Sequence, residues 1–130
     1  QGKRIVYATD NELDLILENA EASARDPGIL RIVPQRAIDF VRDADLFIAD
    51  AQYTDEEYPA KIGWGHSRIS TVVDLATVAG VKRLALFHHD PSHSDDQIDA
   101  IVQIAKQRAA LRGDKLDVFA AREGLTVKVG

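Results

Sequence analysis

The stretch Lys82–Pro91 reads KRLALFHHDP, and its pattern guides the interpretation of the whole chain. The apolar run has the length of a buried strand, and it stops at His88, His89 and Asp90. Side chains just after a strand are held rigidly and face a cleft, which is the usual position of ligands and catalysts in α/β proteins. Imidazole and carboxylate groups are also common ligands of hydrolytic metal ions. The stretch therefore predicts a functional edge at the end of a strand.

Three other positions share this character. The apolar segment 5–8 runs into Asp10, and the segment 46–49 ends at Asp50. His66 stands between Gly65 and Ser67 at the predicted start of a helix. We expect Asp10, Asp50, His66 and His88 to converge on one edge of a sheet.

Hydrophobic periodicity predicts alternating strands and helices, which is typical of α/β layering. Ser94 followed by Gln97 has the pattern of a capping box, and Gly80 is suited to follow the end of a helix. The two adjacent short strands at the end are less typical of a doubly wound parallel sheet. The predicted strands are 5–8, 46–49, 84–87, 116–120 and 125–129, and the predicted helices are 11–24, 35–43, 67–79 and a last helix that begins after Ser94 and ends at Gly113.

Length and composition limit the possible classes of protein. A chain of 130 residues, 45% hydrophobic and 28% charged, is expected to form one globular domain. The absence of cysteine excludes disulfides, zinc fingers and iron–sulfur clusters, so any metal must bind through His, Asp or Glu. A net charge of −5 argues against a general binder of duplex DNA. We expect a cytoplasmic protein, because there is no cysteine, no recognisable signal peptide and no apolar run near the ~20 residues of a membrane span.

Each candidate residue also has an ordinary structural interpretation. Asp10 could cap a helix, and His88 could be a hydrogen-bonded histidine at a strand end. Asp50 could be an ordinary residue between strand and loop, or it could orient a histidine. His66 could be a simple loop residue, or it could meet an anion at the start of a helix. These residues taken singly leave both interpretations open.

Taken together, four strings resemble one family. In order, they are YATD (7–10), ADLFIADAQY (44–53), GHS (65–67) and LALFH (84–88). Their order and spacing resemble the C-terminal half of a metallo-β-lactamase-fold hydrolase, in the phosphodiesterase branch that includes ribonuclease Z and the phosphoribosyl cyclic phosphodiesterases. The resemblance covers nearly the whole chain. It implies one half of a four-layer αββα fold, with a mixed sheet and covering helices.

The resemblance also implies a role for each residue. Asp10 matches the aspartate that bridges two metal ions, and His88 matches the last histidine ligand. His66 matches the histidine that meets the phosphate or protonates the leaving group, and Asp50 matches its acidic support. The implied activity is metal-dependent hydrolysis of a small phosphodiester, a nucleotide or RNA. The implied cofactor is a pair of divalent ions, with zinc expected and manganese or iron as alternatives.

The chain departs from the family in one large respect. The family's His-x-His-x-Asp-His motif and a further histidine ligand belong to its N-terminal half, and the four histidines here form no such motif. We therefore interpret residues 1–130 as the C-terminal half, with the motif-bearing half absent. The chain alone is expected to be inactive, and to form a homo-oligomer such as a dimer or to associate with the other half.

Two alternatives have a different chemistry. A receiver-like α/β regulatory or binding module fits the length and the positions of Asp10 and Asp50. Such a module also needs a Ser or Thr and a Lys at later strand ends, where this chain has His88 and His89. A half-domain that acts only in protein–protein assembly is the other alternative.

Overall fold

Four short parallel strands form the sheet in the computed structural model, which describes residues 2–111, 113 and 116–129. The strands lie in sequence order, so β1 pairs with β2, β2 with β3, and β3 with β4. Their carboxyl ends consequently meet at one edge. The strands are β1 (Ile5–Ala8), β2 (Leu46–Asp50), β3 (Arg83–Phe87) and β4 (Asp117–Ala120).

Helices connect the strands. Residues 13–16 and 58–60 form short 3-10 turns. Ser94 and Gln97 cap the last helix reciprocally, as their spacing predicted. Gly80 follows the third helix with a positive φ of 74°, which also agrees with the prediction. The helices are α1 (Ala20–Arg25), α2 (Gln35–Val41), α3 (Ile69–Val78) and α4 (Asp95–Ala110).

The helices pack on one face of the sheet. Val6, Phe47, Leu84 and Val118 are aligned across the four strands, and all four are buried. They belong to the same apolar core as residues of α3 and α4. Right-handed crossovers between parallel strands in sequence order place every connecting helix on the same side. The strand order therefore explains why there is one helical layer.

The opposite face of the sheet, called the open face below, is more exposed. It carries the alternate side chains Ile5, Tyr7, Ile48, Ala85 and Phe119. Ile5 is 55% exposed and Tyr7 is 56% exposed, whereas Ala85 is buried. Leu125 and Val127 lie with Ile48, Ala85 and Phe119 around a cavity on this face, so the chain end covers it in part.

Three predictions about secondary structure are wrong in detail. The predicted helix 11–24 is a 3-10 turn and the separate helix α1, with extended backbone at Leu17 between them. The side chains of Glu12 and Asp14 accept hydrogen bonds from distant segments, and these bonds prevent residues 13–16 from forming a regular α-helix. The predicted strand 125–129 is irregular and lies at the open face rather than beside β4. The sheet of the described residues is parallel, not mixed, because each connection is a helical crossover.

Other boundaries agree more closely. The helix predicted over 67–79 begins at Ile69 and ends at Val78, and the helix predicted over 35–43 ends at Val41. Leu111 follows α4 directly, and Gly113 has a positive φ of 65°. In the part of the chain that the structure describes, no helix combines the length and apolar character needed to cross a bilayer. An α/β architecture is thus confirmed, while a second sheet and a four-layer fold remain predictions.

Candidate metal and acid–base site

The four residues singled out from the sequence meet at the carboxyl edge of the sheet. Asp10 follows β1, Asp50 ends β2, His88 follows β3, and His66 precedes α3. One ligand atom from each lies within 4.8 Å of the corresponding atoms of the other three. The predicted convergence is therefore present, and the roles of the four side chains remain to be argued from their contacts.

His88 and Asp10 form one half of this group. Nε2 of His88 lies 3.6 Å from Oδ1 of Asp10, and both side chains are open to solvent. Nδ1 of His88 lies 2.8 Å from Oε1 of Gln52. Because an amide oxygen can only accept, Nδ1 must carry the proton, and this leaves the Nε2 lone pair directed at the site.

Gln52 is itself held in orientation. Gln52 is 8% exposed, and its side-chain amide lies near the carboxylate of Asp90. Two hydrogen bonds from Ser92, with a smaller contribution from Gln52, hold the pKa of Asp90 below its usual range. An amide beside a carboxylate turns its nitrogen to the carboxylate and its oxygen away, so Gln52 presents Oε1 to His88 and favours one tautomer of its ring.

The backbone is unusual at both of these residues. Asp10 has a φ of 53° and His88 has a φ of 63°. A non-glycine residue in the left-handed region is uncommon and costs on the order of 1 kcal/mol or more. The surrounding structure therefore holds both side chains in place against a local preference, as is frequent at functional sites.

His66 and Asp50 form the other half. Nδ1 of His66 lies 2.6 Å from Oδ2 of Asp50, whose side chain is buried at the end of β2. Oδ1 of Asp50 is also buried and has no hydrogen-bond partner among the described residues. The rings of His66 and His88 stack with centroids 4.5 Å apart. Asp50 thus fixes one ring nitrogen of His66 and leaves Nε2 available for proton transfer.

Glu12 holds the loop before His66. Its carboxylate accepts the N–H groups of Gly63 (2.9 Å) and Gly65 (2.8 Å) and the hydroxyl of Tyr58 (2.5 Å). Burial alone would raise the pKa of Glu12, but the bonds from Gly63, Tyr58 and Gly65 outweigh it and the pKa is lowered. Glu12 therefore remains a carboxylate that positions the glycine loop.

The segments around Asp10 and His66 are joined directly. Oγ of Ser67 accepts the N–H of Leu13 at 2.9 Å and donates to the carbonyl of Asn11. One residue further, Arg68 donates its backbone N–H and its Nε to the two carboxylate oxygens of Asp14, both at 2.9 Å. These bonds set the distance between Asp10 and His66.

The two other histidines point elsewhere. Nε2 of His89 lies 3.3 Å from the carbonyl of Ala121, and burial lowers the pKa of this ring. Nε2 of His93 lies 2.7 Å from Oε2 of Glu57 and joins two loops. His66 and His88 are therefore the histidines that face the site.

The chain is similar to ribonucleases Z. It is 41% identical to the ribonuclease Z of Sulfurisphaera tokodaii over 61 residues, which is 47% of this chain and 20% of that protein. It is 32% identical to that of Halobacterium salinarum over 87 residues, 67% of this chain and 26% of that protein. For the Brevibacillus brevis enzyme the identity is 31% over 65 residues, 50% of this chain and 20% of that protein.

These similarities cover only parts of the proteins. The matched region is about a fifth to a quarter of the length of each curated relative. No family model matches the chain. The ribonuclease Z relatives agree with the phosphodiesterase branch that the sequence motifs indicate. The similarity supports no finer assignment than that branch.

The donor set fits a divalent metal ion in part. Two donors about 2 Å from a shared ion lie within about 4 Å of each other, and Nε2 of His88 and Oδ1 of Asp10 meet this condition. The tautomer of His88 suits a ligand, and Gln52 supplies the outer support that such histidines need. Asp50 and His66 bind each other instead. Asp10 and His88 are consequently the two candidate ligands, too few for a closed site.

Sequence interpretation missed Glu12 and Gln52. Asp10, Glu12 and Asp14 are acidic at alternate positions, which is unlike an amphipathic helix and could have indicated side chains with separate partners. Gln52 carried no recognisable signal, since its partner lies 36 residues further along the chain.

Proposed function

We propose that this chain carries one side of the active site of a metal-dependent hydrolase that cleaves phosphodiester bonds. The observation that carries the proposal is the convergence of Asp10 and His88 as a ligand pair beside the His66–Asp50 pair. The partial similarity to ribonucleases Z supports it. RNA, a nucleotide or another small phosphodiester is the proposed substrate.

Each of the four residues has a distinct proposed task. Asp10 and His88 would hold divalent ions, with Asp10 as the bridging ligand of a two-ion site and zinc as the expected metal. When bound, such ions supply Lewis acidity and a hydroxide nucleophile near neutral pH. Further ligands would come from a segment outside these 130 residues.

His66 would handle the proton. Nδ1 is bonded to Asp50, so Nε2 is the atom that donates a proton to the departing oxygen. The buried Asp50 carboxylate accepts from Nδ1 and fixes the orientation of the ring. His66 is therefore proposed as the general acid and Asp50 as its positioning residue.

The open face adjoins this site. Asp50 follows Leu46 and Ile48 on alternate positions of β2, and Phe87 on β3 contacts Tyr7 edge-to-face with centroids 5.7 Å apart. We propose that the segment with the remaining ligands packs here and that the isolated chain is inactive and self-associates instead. Light scattering of the isolated chain at micromolar concentration should show a dimer or larger species. A monomer at that concentration would contradict this part of the proposal.

The function is tested in the full-length protein that carries this chain. Hydrolysis of bis(4-nitrophenyl) phosphate should stop after chelation and return with Zn²⁺ or Mn²⁺. His88→Ala should lose both bound metal and turnover, whereas His89→Ala, a change of the same size in the next residue, should keep both. Full turnover after chelation, or full metal content in His88→Ala, would overturn the proposal.

A further inference from the structure

The loop 61–65 exposes an aromatic side chain beside the site. Trp64, the single tryptophan of the sequence, is 63% exposed. Its neighbour Ile62 is 58% exposed. Tryptophan is a large side chain that is usually well buried, and exposed tryptophans are characteristic of binding surfaces.

The main chain of this loop is held on both sides of the exposed ring. Gly63 has a φ of 88° and Gly65 a φ of 93°, a conformation that side chains rarely adopt. The N–H groups of both glycines donate to the buried carboxylate of Glu12. The N–H of Trp64 donates to the carbonyl of Lys61 at 3.1 Å. A fixed main chain presents the ring at little cost in ordering when a ligand binds.

A positive charge accompanies the ring. Nζ of Lys61 lies 3.9 Å from the centroid of Trp64, in the geometry of a cation–π contact. Lys61 as a residue is partly exposed to solvent. A planar ring beside a cation matches a ligand that joins an aromatic ring to an anion, and a nucleotide has that chemistry.

The loop leads directly into the site. Trp64 precedes His66 by two residues, so their Cα atoms are within about 7.6 Å of each other. A phosphodiester placed at Nε2 of His66 would have its neighbouring nucleoside within reach of the ring. No other tryptophan in the sequence could serve this purpose.

We propose that Trp64 and Lys61 form a stacking platform for a nucleobase next to the scissile phosphate. The inference rests on the proposed function, to which it adds the residues that would hold a base of the substrate. Stacking is tolerant of base identity, since every base has a π-face. The site should therefore accept different bases and should disfavour phosphodiesters that lack a base.

Binding without metal tests the platform. Two end-labelled probes of equal length and charge are compared by fluorescence anisotropy in chelator: a short single-stranded oligoribonucleotide and its abasic analogue. In the full-length protein, Trp64→Ala should bind the oligoribonucleotide about fivefold more weakly or worse and leave abasic binding unchanged. Trp64→Phe should retain most of the affinity because it can still stack. Ile62→Ala, an exposed side chain of the same loop, should match the parent protein.

Two results would overturn the platform. One is equal affinity of the parent protein for both probes, including no binding of either. The other is an equal loss for both probes in Trp64→Ala, or the same loss in Ile62→Ala. Because no metal is present, base-dependent binding without metal-dependent hydrolysis would refute the proposed function alone. Hydrolysis that depends on His88 but not on Trp64 would refute the platform alone.

Discussion

Two clusters of charged side chains meet at the start of α3, and they are built in opposite ways. The structural cluster lies under the helices and contains three carboxylates and three guanidinium groups: Asp14, Asp55 and Asp74 with Arg31, Arg68 and Arg108. The site cluster lies at the sheet edge and consists of Asp10, Asp50, His66 and His88. They differ in how completely their members are paired.

In the structural cluster the buried carboxylates are fully bonded. Both oxygens of Asp14 accept from Arg68, and Thr71 adds a third bond at 2.6 Å. Asp74 receives two bonds from the Arg108 guanidinium, at 2.7 and 2.8 Å, and the backbone N–H of Arg31. Burial, with the nearby Arg68 and Arg108, lowers the pKa of Arg31 to about 10, so it is still charged at neutral pH.

In the site cluster, some of the hydrogen-bonding and ion-pairing capacity is unused. Oδ1 of Asp50 has no partner among the described residues, and the side chain of Asp10 is 70% exposed. Buried polar groups are normally satisfied, so an unsatisfied one requires an explanation. The comparison teaches that complete pairing marks the charges that hold the fold, while incomplete pairing is found among the charges of the candidate site.

The largest effect should come from removing His66 in the full-length protein. His66→Ala should lower phosphodiester turnover about 10²- to 10⁴-fold, because the proton donor is lost. Metal content should change little, since His66 is bonded to Asp50 rather than placed as a ligand. Turnover and bound metal are measured on the same sample. A parallel loss of turnover and bound metal would identify His66 as a metal ligand. The Asp10–His88 pair and the Asp50–His66 pair would then not have separate roles.

Breaking the structural cluster should affect stability most. Arg68→Met leaves the buried Asp14 without its guanidinium partner and should lower the free energy of unfolding by about 3–5 kcal/mol, measured in urea. Arg42→Met removes an exposed pair with Asp39 and should change the free energy of unfolding far less. Equal effects of the two changes would show that full pairing does not distinguish the structural cluster.

Gln52 tests whether the site cluster depends on orientation. Gln52→Leu removes the acceptor for Nδ1 of His88 and should weaken metal binding about 10- to 100-fold, as loss of an outer support typically does. Competition against a chromogenic chelator gives the affinity, and Gln35→Leu, an exposed change far from the site, is the control. Unchanged affinity together with an unchanged tautomer in the ¹⁵N spectrum of His88 would remove Gln52 from the site.

The smallest expected effect is a change in stability at acidic pH. The pKa of Glu12 is lowered below 4.5 in the folded chain, so its ionised form adds stability that is present above that value and is lost as the pH falls through the folded pKa. Glu12→Gln should therefore differ from the parent protein in unfolding free energy at pH 7 and converge with it in more acidic solution. Urea unfolding across pH 3–7 (roughly spanning the titration range) measures this. Glu18→Gln, an exposed change, should show no such convergence, and a constant difference for Glu12→Gln would contradict the prediction.

The convergence of the candidate site residues was predictable from the sequence, and the contacts that support them were not. Asp10, Asp50 and His88 could be found because each follows an apolar run, and parallel strands bring such ends to one edge. Gln52 and Glu12 act through partners 36 to 53 residues away, which a local pattern cannot reveal.

The fold shows the same division. Periodicity located four strands and three helices closely, because those segments bury one regular face. It failed at 11–24, where Glu12 and Asp14 bind distant segments, and at 125–129, where Leu125 and Val127 lie at the open face instead of extending the sheet. Local pattern is overridden where tertiary contacts supply the larger free energy.

The joining of the Asp10 and His66 segments through Ser67 has a consequence for the order of folding. Its hydrogen bonds connect residues 54 to 56 positions apart, and they can form only after β1, β2 and α3 have come together. Contacts that close such long loops form late, since the entropy of closure must be met before they stabilise anything. We therefore expect a refolding chain to regain its helical circular dichroism before the carboxyl edge of its sheet is aligned.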